Sequence, residues 1–137
     1  MPFLTWDDRT MSVHVKVLDN DHRKMVAMIN DLFSGIQDGR GKNAVSKALD
    51  DLVVYTAEHF AREEAFFDKT EYPDAAPHKK AHAEMAKHVL SYQEKYQNEK
   101  TDALVIEIAN FIWTWLVDHD LTFDKKYGPH LNSKGVI

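Results

Sequence analysis

With 137 residues, 44% of them hydrophobic and 28% charged, the chain has the size and composition of one globular domain with its own core, which excludes a disordered segment. A formal net charge of −5 offers no basic surface to nucleic acid or anionic lipid, and the lack of cysteine excludes disulfides, iron–sulfur clusters, thiolate zinc sites and cysteine nucleophiles. No apolar run approaches the roughly 20 residues of a membrane span, and Met1–Asp8 lacks the basic start and apolar core of a signal peptide, so a cytoplasmic protein without membrane insertion is expected.

Residues 1–17 read as an irregular arm that Phe3, Trp6, Val13, Val15 and Val17 pin to a core. Leu18, His22, Met25, Ile29, Leu32 and Ile36 then alternate steps of four and three, the mark of one helix face. Asp19 is the expected N-cap, and the glycine-rich tract 35–41 the expected end. Val45, Leu49, Leu52, Thr56, His59, Glu63 and Phe66 form a second stripe, which Pro73 terminates. Asp74 is placed to cap a third helix, with Pro77 in its first turn and a stripe of His78, His82, Met85, Val89, Tyr92 and Tyr96. After the polar turn 97–102, Leu104, Ile108, Phe111 or Ile112, Trp115 and His119 trace a fourth, which Gly128-Pro129 is expected to stop. Four amphipathic helices on short connections predict an all-α, up-down-up-down bundle over about residues 18–127, with 1–137 as a single domain.

The stripes carry an anomaly. His22, His59, Glu63, His78, His82 and His119 occupy positions that should be apolar. A lone histidine there is ordinarily a hydrogen-bonded core residue, but burying this many imidazoles with a carboxylate costs several kcal/mol, by typical desolvation penalties, unless a shared metal offsets it. His59 and Glu63 are four apart, as are His78 and His82, so each pair faces one way along its helix. Glu64 is rotated about 100° off that face. His119 and Asp124 are five apart, which a regular α-helix does not align but a π-type bulge would; Asp120 points away from His119.

A lone first-helix His, then H-x-x-x-E, H-x-x-x-H and H-x-x-x-x-D, resembles the hemerythrin family in its bacterial single-domain form, at His22, His59, Glu63, His78, His82, His119 and Asp124. Phe3-Leu4-Thr5-Trp6, Leu18-Asp19-Asn20-Asp21-His22, Trp115-Leu116-Val117-Asp118-His119 and Phe123-Asp124-Lys125-Lys126-Tyr127-Gly128 resemble the family as well, whereas His14 and the first interhelix loop depart from it. Five imidazoles and two carboxylates are too many for one tetrahedral zinc and enough for two adjacent metals; imidazole with carboxylate suits iron, with manganese and zinc as the alternatives. The resemblance implies that His78, His82 and His119 hold one iron and His22 and His59 the other. Glu63, Asp124 and an oxo or hydroxo group would bridge them. The iron with fewer ligands would bind dioxygen reversibly, without a catalytic residue. Met25, Phe60, Trp115 and Leu116 are expected to line the dioxygen pocket while packing as core, and His14, His88 and His130 to stand apart from the metal.

The implied function is oxygen carriage, storage or delivery by a monomer, with an oxygen-consuming enzyme as a possible recipient. The alternatives are a dioxygen, redox or iron sensor acting on a separate partner, and a di-iron oxidase or peroxidase. The last needs E-x-x-H pairs, which this sequence lacks.

Overall fold

Four long helices and one continuation follow from the stripes. The computed structural model describes residues 4–137, and the side chains within them except those at 116, 117 and 120–122; Phe3 therefore lies outside the described residues. A helical turn, α1 (Asp8–Met11), precedes α2 (Lys16–Gln37), α3 (Gly41–Thr70), α4 (Ala75–Asn98) and α5 (Asp102–Asp118). A π-helical turn, His119–Asp124, joins α5 to α6 (Lys125–Ser133). Connections of three to four residues between the long helices force neighbours antiparallel, giving an up-down-up-down bundle.

The ends are set locally. Gly39 takes φ 79° after α2, and the Arg40 N–H donates to Gly35 O at 2.7 Å, closing that helix with a left-handed turn. Glu71 closes α3 in the same way at φ 55°, with Tyr72 N–H donating to Phe67 O at 3.0 Å. Thr101 opens α5 by accepting from Leu104 N–H through Oγ1 at 3.1 Å.

Several expectations are corrected here. The arm is not wholly irregular, since α1 lies within it and α2 begins at Lys16. Val13 and Val15 are buried, while Val17 faces outward. Asp19 is not the N-cap of α2. It sits one turn inside and reaches back to accept from Val13 N–H at 2.8 Å and Ser12 Oγ–H at 2.6 Å, so it fastens the arm. Asp74 occupies the N-cap position of α4 without a side-chain cap bond. On α3 the buried stripe runs on to Phe67 rather than Phe66, keeping the four-residue step from Glu63.

Gly128-Pro129 does not stop the chain's last helix, which carries Pro129 inside it and ends at Ser133. Gly128 answers a different demand. A Cβ there would stand 2.7 Å from the Val13 carbonyl oxygen, so the glycine admits the arm's backbone against α6. Gly128→Ala is expected to cost about 2 kcal/mol, in the range of forced overpacking, readable as a lowered denaturant midpoint with an unchanged slope. An unchanged midpoint would show that the arm yields freely.

Two apolar clusters result. The larger holds Met25, Ile29, Leu32, Val45, Leu49, Leu52, Met85, Val89, Ile108 and Ile112 among the four long helices. The smaller joins Val13, Val15 and Leu18 to Phe67, Tyr72, Tyr127 and Leu131.

Candidate metal centre

Alternation of direction brings the polar stripe positions to one end of the bundle. His22 lies early in α2, His59 and Glu63 late in α3, His78 and His82 early in α4, and His119 and Asp124 bound the π turn after α5. The π turn is what the five-residue spacing requires. A regular helix would set Asp124 about 140° from His119, whereas here the Asp124 Oδ1 lies 2.8 Å from His119 Nε2.

The seven groups converge on two shared carboxylates. Glu63 Oε1 lies 3.0 Å from His82 Nε2 and 3.3 Å from His59 Nε2. Asp124 Oδ1 lies 2.9 Å from His78 Nε2, and its Oδ2 lies 2.9 Å from His22 Nε2. His22 and His59 approach within 3.1 Å through Nε2. One set of ligand atoms comprises Glu63, His78, His82, His119 and Asp124; the other comprises His22, His59, Glu63 and Asp124. Within each set all the atoms lie within 4.8 Å of one another, and every residue is buried.

The donor set fits a metal pair on its own chemistry. Among the described residues, the Nε2 atoms of His78, His82 and His119, Glu63 Oε1 and both Asp124 oxygens are buried and, although they approach one another closely, make no hydrogen bond of good geometry. Buried polar atoms are rarely left so, since each costs about 1–3 kcal/mol. Lone pairs aimed at a common point are what a cation would satisfy. The field agrees. Burial and the nearby Asp124 charge oppose ionisation of Glu63, yet His59, His82 and His22 hold its carboxyl below the usual range. At Asp124 burial is likewise outweighed, by His119, His22 and His78, and the carboxyl sits well below its ordinary value. Burial would strip the proton from His82, but Glu63, Glu64 and Asp124 raise its affinity for one.

Residues beyond the stripes hold the ligands in place. His59 Nδ1 lies 2.8 Å from Asp21 Oδ2, which also accepts from Arg62 Nη1. Burial resists ionisation of Asp21, and His59 and Arg62 prevail over it, lowering its pKa. His82 Nδ1 lies 2.9 Å from Glu64 Oε2, and Tyr127 donates its hydroxyl to Glu63 Oε2 at 2.5 Å. These partners lie off the apolar stripes and leave no periodic signal in the sequence. Glu64 is off the α3 stripe as expected, but that same rotation turns it toward α4.

Of the expected pocket residues, Phe60 stacks on His82 at 3.9 Å and 6°, and Trp115 on His119 at 4.3 Å and 12°. Met25 is buried in the larger core. Leu116 lies outside the described side chains. A cleft of about 810 Å³ between α4 and α5, lined in part by Met85, Phe111, Trp115 and Phe123, extends to His119. His14 and His88 are exposed and His130 binds the Thr70 carbonyl at 2.8 Å, so none of the three joins the cluster.

An antiparallel helical bundle with two carboxylates shared between two histidine groups defines a class of bundle metalloproteins. A family profile described as the hemerythrin HHE cation binding domain matches residues 13–131. The chain belongs to the hemerythrin family. It is 31% identical over 136 residues to a bacteriohemerythrin of Stenotrophomonas maltophilia (strain R551-3), covering 96% of this chain and 86% of that one. It is 29% identical to a bacteriohemerythrin of Methylococcus capsulatus (strain ATCC 33009 / NCIMB 11132 / Bath), covering 97% of this chain and all of that one. A crystal structure of wild-type hemerythrin superposes with a TM-score of 0.82 at 29% identity, over 94% of this chain and 98% of that one. Hemerythrins are oxygen carriers, not enzymes. Among the described residues no helix is long and apolar enough to cross a membrane.

Proposed function

We propose that this chain binds dioxygen reversibly at a non-haem di-iron centre and serves in oxygen carriage, storage or delivery. The observation that carries the reading is the sharing of Glu63 and Asp124 by two buried ligand groups, one with three imidazoles and one with two. His78, His82 and His119 would hold one iron, His22 and His59 the other, and the two carboxylates would bridge them, with an oxo or hydroxo group completing the bridge. A ferrous pair held by these residues would supply the two electrons that reversible dioxygen binding requires.

The chain's own residues shape that chemistry. The carboxylates balance metal charge in a dry interior. Tyr127 O–H fixes the Glu63 oxygen that it reaches. Phe60 and Trp115 cover the faces of His82 and His119 and keep water from those rings. Leu116 and Met25 are proposed to complete the apolar pocket. The cleft beside Trp115 offers a small apolar gas a path inward. The same reading takes 1–137 as one hemerythrin-like domain, active as a monomer in the cytoplasm, where a chain without cysteine suits a reducing compartment. An oxygen-consuming enzyme is the recipient it would supply.

The test is an optical spectrum of the iron-loaded, reduced protein before and after air, then after argon purging, with metal analysis of the same sample. Two irons per chain and a visible band that comes with air and leaves with argon are expected. One tightly bound zinc, with no uptake of iron by the reduced apoprotein, would overturn the reading.

A further inference from the structure

The surroundings of the two histidine groups differ, and the difference is one of charge. His59 turns its Nε2 toward His22 and Glu63, at 3.1 and 3.3 Å. Its remaining nitrogen, Nδ1, faces Asp21 Oδ2 at 2.8 Å. The Asp21 carboxylate accepts only, so Nδ1 must carry the proton, and the Nε2 lone pair is left facing inward. The same Asp21 oxygen takes the Arg62 guanidinium. Asp21 is 7% exposed in its side chain and Arg62 36%, so the carboxylate is dry and its counter-charge stands at the rim.

Tyr55 locks this arrangement. Its hydroxyl donates to the Asp21 backbone carbonyl at 2.8 Å, and its ring stacks on His59 at 5.2 Å and 22°. One side chain therefore fixes both members of the imidazole–carboxylate pair. On the three-histidine side, His82 Nδ1 faces Glu64, whose side chain is 33% exposed and screened by solvent.

Resting on the di-iron reading above, we propose that Asp21 and Arg62 are opposed positioning residues that set how much negative charge the His59 imidazole carries, and so the balance of oxidised and reduced metal at the two-histidine site. A carboxylate on the far nitrogen makes an imidazole a stronger donor, and outer partners of this kind change metal affinity by about 10–100-fold. A stronger donor favours the higher oxidation state. The guanidinium draws on the same carboxylate oxygen and moderates the effect. Removing one partner therefore acts opposite to removing the other.

The experiment compares wild type, Asp21→Asn and Arg62→Gln, each loaded with iron, by metal analysis and spectroelectrochemical titration. Asparagine keeps an acceptor for Nδ1–H and removes the charge. Asp21→Asn is expected to lower the oxidised-to-reduced ratio at fixed ambient potential by on the order of tenfold, ~59 mV for a one-electron step. Arg62→Gln is expected to raise that ratio. Histidine nitrogen NMR of the wild-type apoprotein should show the proton of His59 on Nδ1. Residues that merely stabilise the fold would shift the two variants the same way or not at all, and that result with iron retained overturns the proposal. If Asp21→Asn does not load iron, Arg62→Gln alone decides by the sign of its shift. Failure of the wild type itself to take up iron would sink the di-iron reading instead.

Discussion

If the centre holds two metals as proposed, their removal is expected to lower the melting temperature by about 15 °C, corresponding to a loss of roughly 4–5 kcal/mol for a chain of this size. The centre leaves five imidazoles and two carboxylates in an interior where none is more than 3% exposed. With metal bound, each lone pair has a partner. Without it, the groups must take up protons, admit water or move apart, and each course weakens packing between the two apolar clusters that enclose the site. The loss should be uneven. The π turn and α6 are held to the bundle partly through the approach of Asp124 to His22 and His78 and through the bond from Tyr127 to Glu63, so hydrogen exchange should quicken there before the far end of the core opens. Circular dichroism melts of the apo and iron-loaded protein check the first claim; superimposable curves would mean that the ligands contribute nothing to the fold.

Substitution at Glu63 is expected to abolish the paired site outright. Its side chain is fully buried, and its Oε1 approaches ligands of both groups, His82 and His59. Glu63→Gln keeps the volume and replaces one oxygen with an amide NH2, whose lone pair is delocalised into the carbonyl and not available to a cation. Metal content should fall from two per chain to one or none, with affinity reduced by more than about 100-fold, the upper limit for merely outer partners. His88→Ala, at an exposed residue outside the cluster, is the control and should retain two. Plasma emission analysis after dialysis distinguishes the cases. A Glu63→Gln protein that still carries two irons would show that Asp124 alone joins the metals.

Periodicity carried much of this architecture. Four-and-three spacing is a direct image of helix geometry, so the long helices and the convergence of their histidines were legible without any knowledge of contacts. The π turn was legible too, because His119 and Asp124 could share a centre only if the helix widened between them. What periodicity could not convey was contact between residues distant in the chain. Asp21 adjoins a stripe histidine, but its partner Arg62 is 41 residues away, and Tyr127 reaches Glu63 across 64. Local rules misled where tertiary packing prevailed. Pro129 reads as a terminator, yet the helix runs past it because α6 is held by Tyr127 and Leu131 in the smaller cluster. Asp19 has the chemistry of an N-cap, but the arm offered it Val13 and Ser12 as partners.

The widened turn also bears on how such a centre could arise or be lost. A π turn differs from an α turn by one residue in the spacing of its hydrogen bonds. Deleting a single codon between positions 120 and 123 would remove the extra residue and let the helix close regularly, bringing the aspartate to four residues from His119 and leaving it, with the α6 that continues from it, on nearly the same face. The same deletion with the wide turn retained, or an added residue in a regular turn, would instead swing the aspartate and Gly128 together by about 100°, away from the centre and the arm. A one-residue change in length is therefore tolerable here only when it goes together with a change of helix type.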